Sequence, residues 1–243
     1  MYERPDVPKE SPNRNKIAVV VLIVVALALA LLVSTLWRMA NQSSALGSHD
    51  VQDALSSAAT STGDSQALAD AVGATVTGDE VETVLFVVVG DASSTDVTSV
   101  YLASIDSTQG SAKLVSLQPD ALLQLDSSTT SLAQTYASQG LSALAGGIAA
   151  VSAVPVDHAV TMTRDGWDAF LSTASGGSSA LASHATELLG GIVSSDLDAT
   201  GLLDIAKQAV SLGLSTSDVT DAGITDDGAL DGASLARIVG VIA

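Results

Sequence analysis

Apolar positions fall along this chain in two different ways. Residues 17–37, IAVVVLIVVALALALLVSTLW, hold no charged side chain. At about 1.5 Å of rise per residue, such a run spans roughly the 30 Å hydrocarbon core of a bilayer, which predicts a transmembrane helix. The run is longer than the apolar stretch of a cleaved signal peptide, and RMANQSSALGS after it offers no convincing small-residue cleavage site. Arg4, Lys9, Arg14 and Lys16 precede the run, whereas only Arg38 follows it before Lys113. That asymmetry predicts a cytoplasmic N-terminus and an extracytoplasmic remainder. Pro5, Pro8 and Pro12 with interspersed polar residues leave residues 1–16 no means to bury a core, so a disordered arm is expected there.

Residues 38–80 are rich in Ser, Ala, Asp and Gly, with weak helical stripes through Val51, Leu55 and Ala58 and through Leu68, Ala71 and Val72. They read as a stalk with one or two short helices. The texture changes at Val84. VLFVVV is a continuous β-branched run suited to a strand covered on both faces, VTSVYLASI (97–105) is a second strand, and AKLVSLQ (112–118) a third after the turn DSTQGS. Three consecutive strands predict a meander. The period then lengthens towards 3.6: residues 131–154 predict a helix broken at Gly140, 156–162 a strand, and 164–174 a helix. Residues 179–242 show only helical patterns. One α/β domain over residues 81–243, with helices covering a sheet, accounts for this order.

Charge narrows the partners. Residues 39–243 contain Lys113, Arg164, Lys207 and Arg237 against 24 acidic residues, a formal charge of −20. Such a surface repels nucleic acid and anionic headgroups, and no nucleic-acid motif is present. The chain has no cysteine, so neither disulfides nor thiolate chemistry enters. His158 next to Asp157 suggests an acid/base pair, but strand neighbours point to opposite faces, and a structural histidine is the reading favoured. His49 and His184 lack partners at metal-ligand spacing. Trp167 and Phe170, three apart on a helix, are expected to pack in the core.

In order and spacing, these pieces resemble the LytR-CpsA-Psr family of cell-envelope proteins. VLFVVVGDASS resembles the family strand that ends in Gly-x-Asp-x-Arg, TDVTSVYLASID the Arg-Ser-Asp-Thr strand, SLQPD (116–120) the Ser-Ile-Pro-Arg-Asp segment, and VPVDHAVTMTRDGWDAF (154–170) the Ile-Asp-His-Tyr-Val strand with its Asp-Gly-Phe helix start. The resemblance covers residues 82–175. It implies an extracytoplasmic domain with a mixed central sheet covered by helices, and transfer of a glycopolymer phosphate from a polyprenyl diphosphate to peptidoglycan. The family activity uses arginines on the diphosphate and aspartates on a divalent cation. Here the arginine positions are taken by Ser94, by Thr95 or Asp96, and by Pro119.

Neutral side chains cannot replace the bidentate hydrogen bonds of Arg to phosphate. The expectation is therefore a degenerate, membrane-anchored member that assigns no catalytic residue. Its partners would be the membrane and either a polyprenyl lipid or cell-wall assembly proteins. The alternatives are a working metal-dependent phosphotransferase and an unrelated acidic interaction domain. Asp91, Asp96 and Asp120 are the candidate ligands for Mg²⁺ or Ca²⁺ at one sheet edge, although an Asp in a turn is ordinarily a turn former. An apolar tunnel between sheet and helices would favour the family, and the Ala-rich helices at 141–153 and 199–210 leave room for one.

Overall fold

The structure is a computed structural model that describes residues 45–60, 62–125, 128–214 and 219–243. The expected arm at 1–16 and membrane helix at 17–37 lie outside these residues. Among the described residues, no helix is long and apolar enough to cross a membrane.

Two helices, α1 (His49–Ala59) and α2 (Ser65–Val72), come first. The strands β1 (Val81–Val89), β2 (Val97–Asp106) and β3 (Ser111–Leu117) follow, then the short pair β4 (Leu122–Leu125) and β5 (Ser128–Ser131), and the long helix α3 (Leu132–Ser152). The second half runs β6 (His158–Thr163), α4 (Arg164–Ala174), α5 (Ser178–Ser183), α6 (Ala185–Leu189), β7 (Ile192–Ser195), α7 (Ala199–Ser211), β8 (Val219–Asp221) and α8 (Gly232–Val239). The main sheet has the order β7-β6-β1-β2-β3-β8. The meander β1–β2–β3 is antiparallel, β6 lies parallel to β1, and β8 parallel to β3. The sheet is therefore mixed, as expected.

β1 sits at the centre and is buried on both faces. Leu85, Val87 and Val89 point into one core and Val84, Phe86 and Val88 into the other, the period-two alternation of a strand. The first core is the larger. It is closed by α1, α3 and α8, whose Leu55, Leu144, Ile148 and Leu235 meet the strand residues. The second core lies under α4, with Trp167 at its centre.

The segment expected to be a stalk belongs to the first core. Val51, Leu55 and Ala58, spaced i, i+4, i+7 on α1, are all buried there, because that stripe supplies apolar surface that α3 needs covered. Asp64 caps α2 by accepting from the backbone N–H groups of Gln66 and Ala67, and Gly73 ends it in the left-handed region at φ 67°. The break expected in α3 is present: Gly140 has φ 79° and ψ −172°, a conformation open to glycine and not to L side chains.

Four strands escaped the sequence reading. β4 and β5, of four residues each, pair with each other in a separate two-stranded sheet, and β7, of four residues, and β8, of three, form edges of the main sheet. An edge strand of that length carries too few alternations to stand out from helical periodicity. The glycines at the start of α4 and before β7 permit a close approach: a Cβ on Gly166 would lie 2.7 Å from the Cα of Gly191.

Candidate functional site

The loop from Gly90 to Asp96 follows the C-terminal end of β1. It is held by its own hydrogen bonds: the Gly90 N–H donates to the Asp96 carbonyl at 3.2 Å, and the Ser94 N–H to the Asp91 carbonyl at 3.1 Å. Asp91 Oδ1 accepts from Ser93 Oγ at 2.7 Å and from the Ser93 N–H at 2.8 Å. These bonds, the hydroxyl foremost, hold the Asp91 carboxyl below its ordinary range. Asp91 thus performs the turn-forming role. Asp96 donates its backbone N–H to Ser94 Oγ at 2.9 Å, and Asp120 is exposed between β3 and β4. Among the described residues, no three His, Asp or Glu side chains form a group that could hold a metal ion.

Cations are scarce at this rim. Lys113 Nζ donates to the carbonyl of Ile238 at 2.8 Å, Arg237 Nη2 to that of Val72 at 3.4 Å, and Lys207 Nζ lies 3.7 Å from Asp204 Oδ1. Arg164 is placed differently. It follows Thr163, which is in register with Val89 of β1, so its exposed side chain starts from the same sheet edge as the Gly90 loop.

Beneath the rim, on the second face of the sheet, lies an apolar cavity of about 90 Å³. Val84, Phe86, Ile105 and Val160 form its sheet wall, and residues of α4 to α7, among them Phe170, Leu181, Leu188, Leu202 and Ala206, form the helical wall. From the Ala-rich stretch 199–210, Ala199, Ala206 and Ala209 line it together with Leu202, Leu203 and Ile205. The other Ala-rich stretch, 141–153, is on the opposite face: Leu144, Ala145 and Ile148 pack into the first core.

An aromatic stack fills the region beside the cavity. The Trp167 ring lies 4.5 Å from Tyr101, 5.2 Å from Phe86 and 5.6 Å from Phe170, centroid to centroid. Trp167 and Phe170 are core residues, as expected, although Trp167 Nε1 is buried without a hydrogen-bond partner among the described residues.

His158 is fixed from both sides. Its Nδ1 is 2.6 Å from Asp196 Oδ2 and its Nε2 3.2 Å from Glu82 Oε1. The hydrogen bond with Asp196 raises the His158 pKa most; burial opposes that, and the charges of Asp196 and Glu82 add to it. Asp157, its neighbour in sequence, turns away and accepts from the Thr83 N–H at 2.9 Å. The acid/base pair read against above is absent, and the structural histidine is present. Its real partner, Asp196, was missed, because nothing local in the sequence ties it to His158.

No family model and no curated protein matches the chain in sequence. Solved structures with a similar fold include LytR-CpsA-Psr proteins. TagV of Bacillus subtilis is 14% identical with a TM-score of 0.47, over 60% of this chain and 85% of that one. A transcriptional regulator from Enterococcus faecalis is 12% identical with a TM-score of 0.48, over 74% of this chain and 91% of that one. The LytR-CPS2A-psr family protein YwtF (TagT) of Bacillus subtilis, solved with bound octaprenyl pyrophosphate lipid, is 16% identical with a TM-score of 0.32, over 40% of this chain and 38% of that one. Values this low carry no argument about what this chain does.

Proposed function

We propose that this protein is a membrane-anchored, extracytoplasmic cell-envelope component that holds an isoprenoid or similar apolar chain between its sheet and α4–α7, without transferring a glycopolymer. The apolar lining of that cavity carries this reading; at about 90 Å³ it holds only a small part of such a chain, so binding requires α4–α7 to part from the sheet. Ligand sites are mostly apolar clefts, and an isoprenoid asks only for continuous apolar contact. The resemblance read from residues 82–175 supports the envelope role, and the uncharged run at 17–37 supports the anchor.

The chemistry of the rim supports the non-catalytic half of the reading. Phosphoryl transfer needs several cationic donors or metal ions around the migrating group. Where the resemblance places the family arginines stand Ser94, Thr95 or Asp96, and Pro119, and three of the four cations after residue 38 are engaged elsewhere. Arg164 by itself leaves a diphosphate largely uncompensated. A cell-wall assembly protein would then act as partner through the loaded or empty state of the cavity.

The test is thermal unfolding of the full chain in nanodiscs with and without a polyprenyl phosphate. Saturating lipid is expected to raise Tm; a ligand at a hundred times its Kd contributes about 2.7 kcal/mol. Ala206→Trp, which fills the cavity, should remove the shift. No shift, or an equal shift in Ala206→Trp, refutes the lipid site. Mg²⁺-dependent glycopolymer transfer that disappears in Arg164→Ala refutes the non-catalytic half alone.

A further inference from the structure

On the opposite face of the sheet, an open pocket of about 450 Å³ lies where α1, the kink of α3 and the ends of β6 and β7 meet. Its lining combines apolar surface from Val51, Ala54 and Leu141 with hydrogen-bonding side chains and is nearly uncharged. Asp50, Thr95, Tyr136, Gln139, Thr161 and Ser194 all contribute, and no Lys or Arg does. At its inner wall Thr161 is 1% exposed, and its Oγ1 has no hydrogen-bond partner among the described residues. A buried hydroxyl left unpaired is unusual and costly, which makes it a marker for an absent partner. Strand alternation fixes where it points. Val160 and Met162 line the apolar cavity, so Thr161 between them faces the other way, beside its register partner Ser194.

The break in α3 helps to shape this pocket. Gly140 lies in the lining, and its non-helical backbone turns the preceding Tyr136–Gln139 segment over the opening. Ser142 Oγ donates to the Ala54 carbonyl at 3.2 Å, tying the second half of α3 to α1. The pocket is thereby built from elements that are locked to each other.

We propose that this pocket binds an uncharged polyhydroxylated ring, with Thr161 and Ser194 hydrogen-bonding its hydroxyls, Asp50 accepting from others, and the Tyr136 ring against its apolar face. An anion is disfavoured, since Asp50 repels it and no cation compensates. An apolar ligand is disfavoured by the hydroxyls it would leave unpaired. Hydroxyls that both donate and accept are what this lining matches, and a tyrosine offers an apolar body with a polar tip. The volume lies within the range of small-molecule sites. The proposal does not depend on the lipid function, because the two cavities lie on opposite faces of the sheet.

Saturation-transfer NMR on the full chain in nanodiscs, free of glycosidic detergent, tests it with cellobiose as the neutral probe and inorganic diphosphate as an anionic competitor. Saturation transfer to cellobiose that diphosphate does not displace is the expected result. Thr161→Val should weaken cellobiose about tenfold, the scale of one neutral hydrogen bond, while Thr161→Ser keeps it. Gln139→Ala, at an exposed position, should weaken it without a change in Tm, which separates binding from folding. Absence of transfer to cellobiose, its displacement by diphosphate, or equal binding by Thr161→Val would each overturn the proposal. The last would mean that water satisfies the hydroxyl.

Discussion

Replacing Asp196 by alanine removes two bonds at once. Its Oδ1 accepts from the buried Ala159 N–H at 2.8 Å, and its Oδ2 from His158 Nδ1 at 2.6 Å. Asp196 is 8% exposed and Ala159 is fully buried, so water cannot readily replace the lost acceptor. An orphaned buried N–H costs about 1–3 kcal/mol, and a hydrogen bond to a charged group contributes about 1.5–3 kcal/mol. The expected loss is therefore about 3–5 kcal/mol, in line with breaking a buried ion pair. For a domain of this size, at about 2–4 °C per kcal/mol, Tm should fall by roughly 10 °C.

The loss should also depend on pH. A neutral imidazole carries a single N–H, so only the imidazolium can donate to both Asp196 and Glu82. The folded-state pKa of His158 is raised above its usual value. Its contribution is accordingly complete below about pH 6.5, the unfolded value, and is lost as pH rises through the folded value. The Tm gap between wild type and Asp196→Ala, followed by circular dichroism, should be wider at pH 6 than at pH 9. Part of the gap persists at pH 9, because the Ala159 N–H does not titrate. A destabilisation below about 1 kcal/mol, or a gap that widens with pH, would refute this account of the cluster.

Three further outcomes are expected. Gly166→Ala should cost about 1–3 kcal/mol in urea unfolding, since its Cβ would meet Gly191 backbone that has no side chain to rotate away; an unchanged midpoint would mean that α4 shifts freely. Ca²⁺ or Mg²⁺ should raise Tm equally in wild type and in Asp91→Asn/Asp120→Asn, as screening of the −20 surface predicts, whereas a rise confined to wild type would establish a metal site at those aspartates. A reporter fused after Ala243 should be active outside the cytoplasm alone, from the basic residues before residue 17, and cytoplasmic activity would overturn the topology.

Much of the architecture was legible because local sequence encodes local backbone. The β-branched run at 84–89 became the central strand, since a strand covered on both faces has no polar alternation to show. RDGWDAFLSTA became α4 with those bounds, capped by Thr163. Gly140 marked the break in α3, because the left-handed φ there excludes a side chain.

Tertiary structure decided whatever depends on residues distant in sequence. Val51, Leu55 and Ala58 offered an apolar stripe too weak to show whether it would be a stalk or a core helix; contact with α3 settled that. β7 and β8 exist because neighbouring strands offer edges for them to pair with, not because four or three residues specify a strand. His158 meets Asp196, 38 residues away, through the pairing of β6 with β7. The face that each Ala-rich helix covers, and hence the separation of an apolar cavity from a hydroxyl-lined pocket, follows from the alternation of β6 combined with the helix crossings. Periodicity states which residues share a face; only the packed sheet states what that face meets.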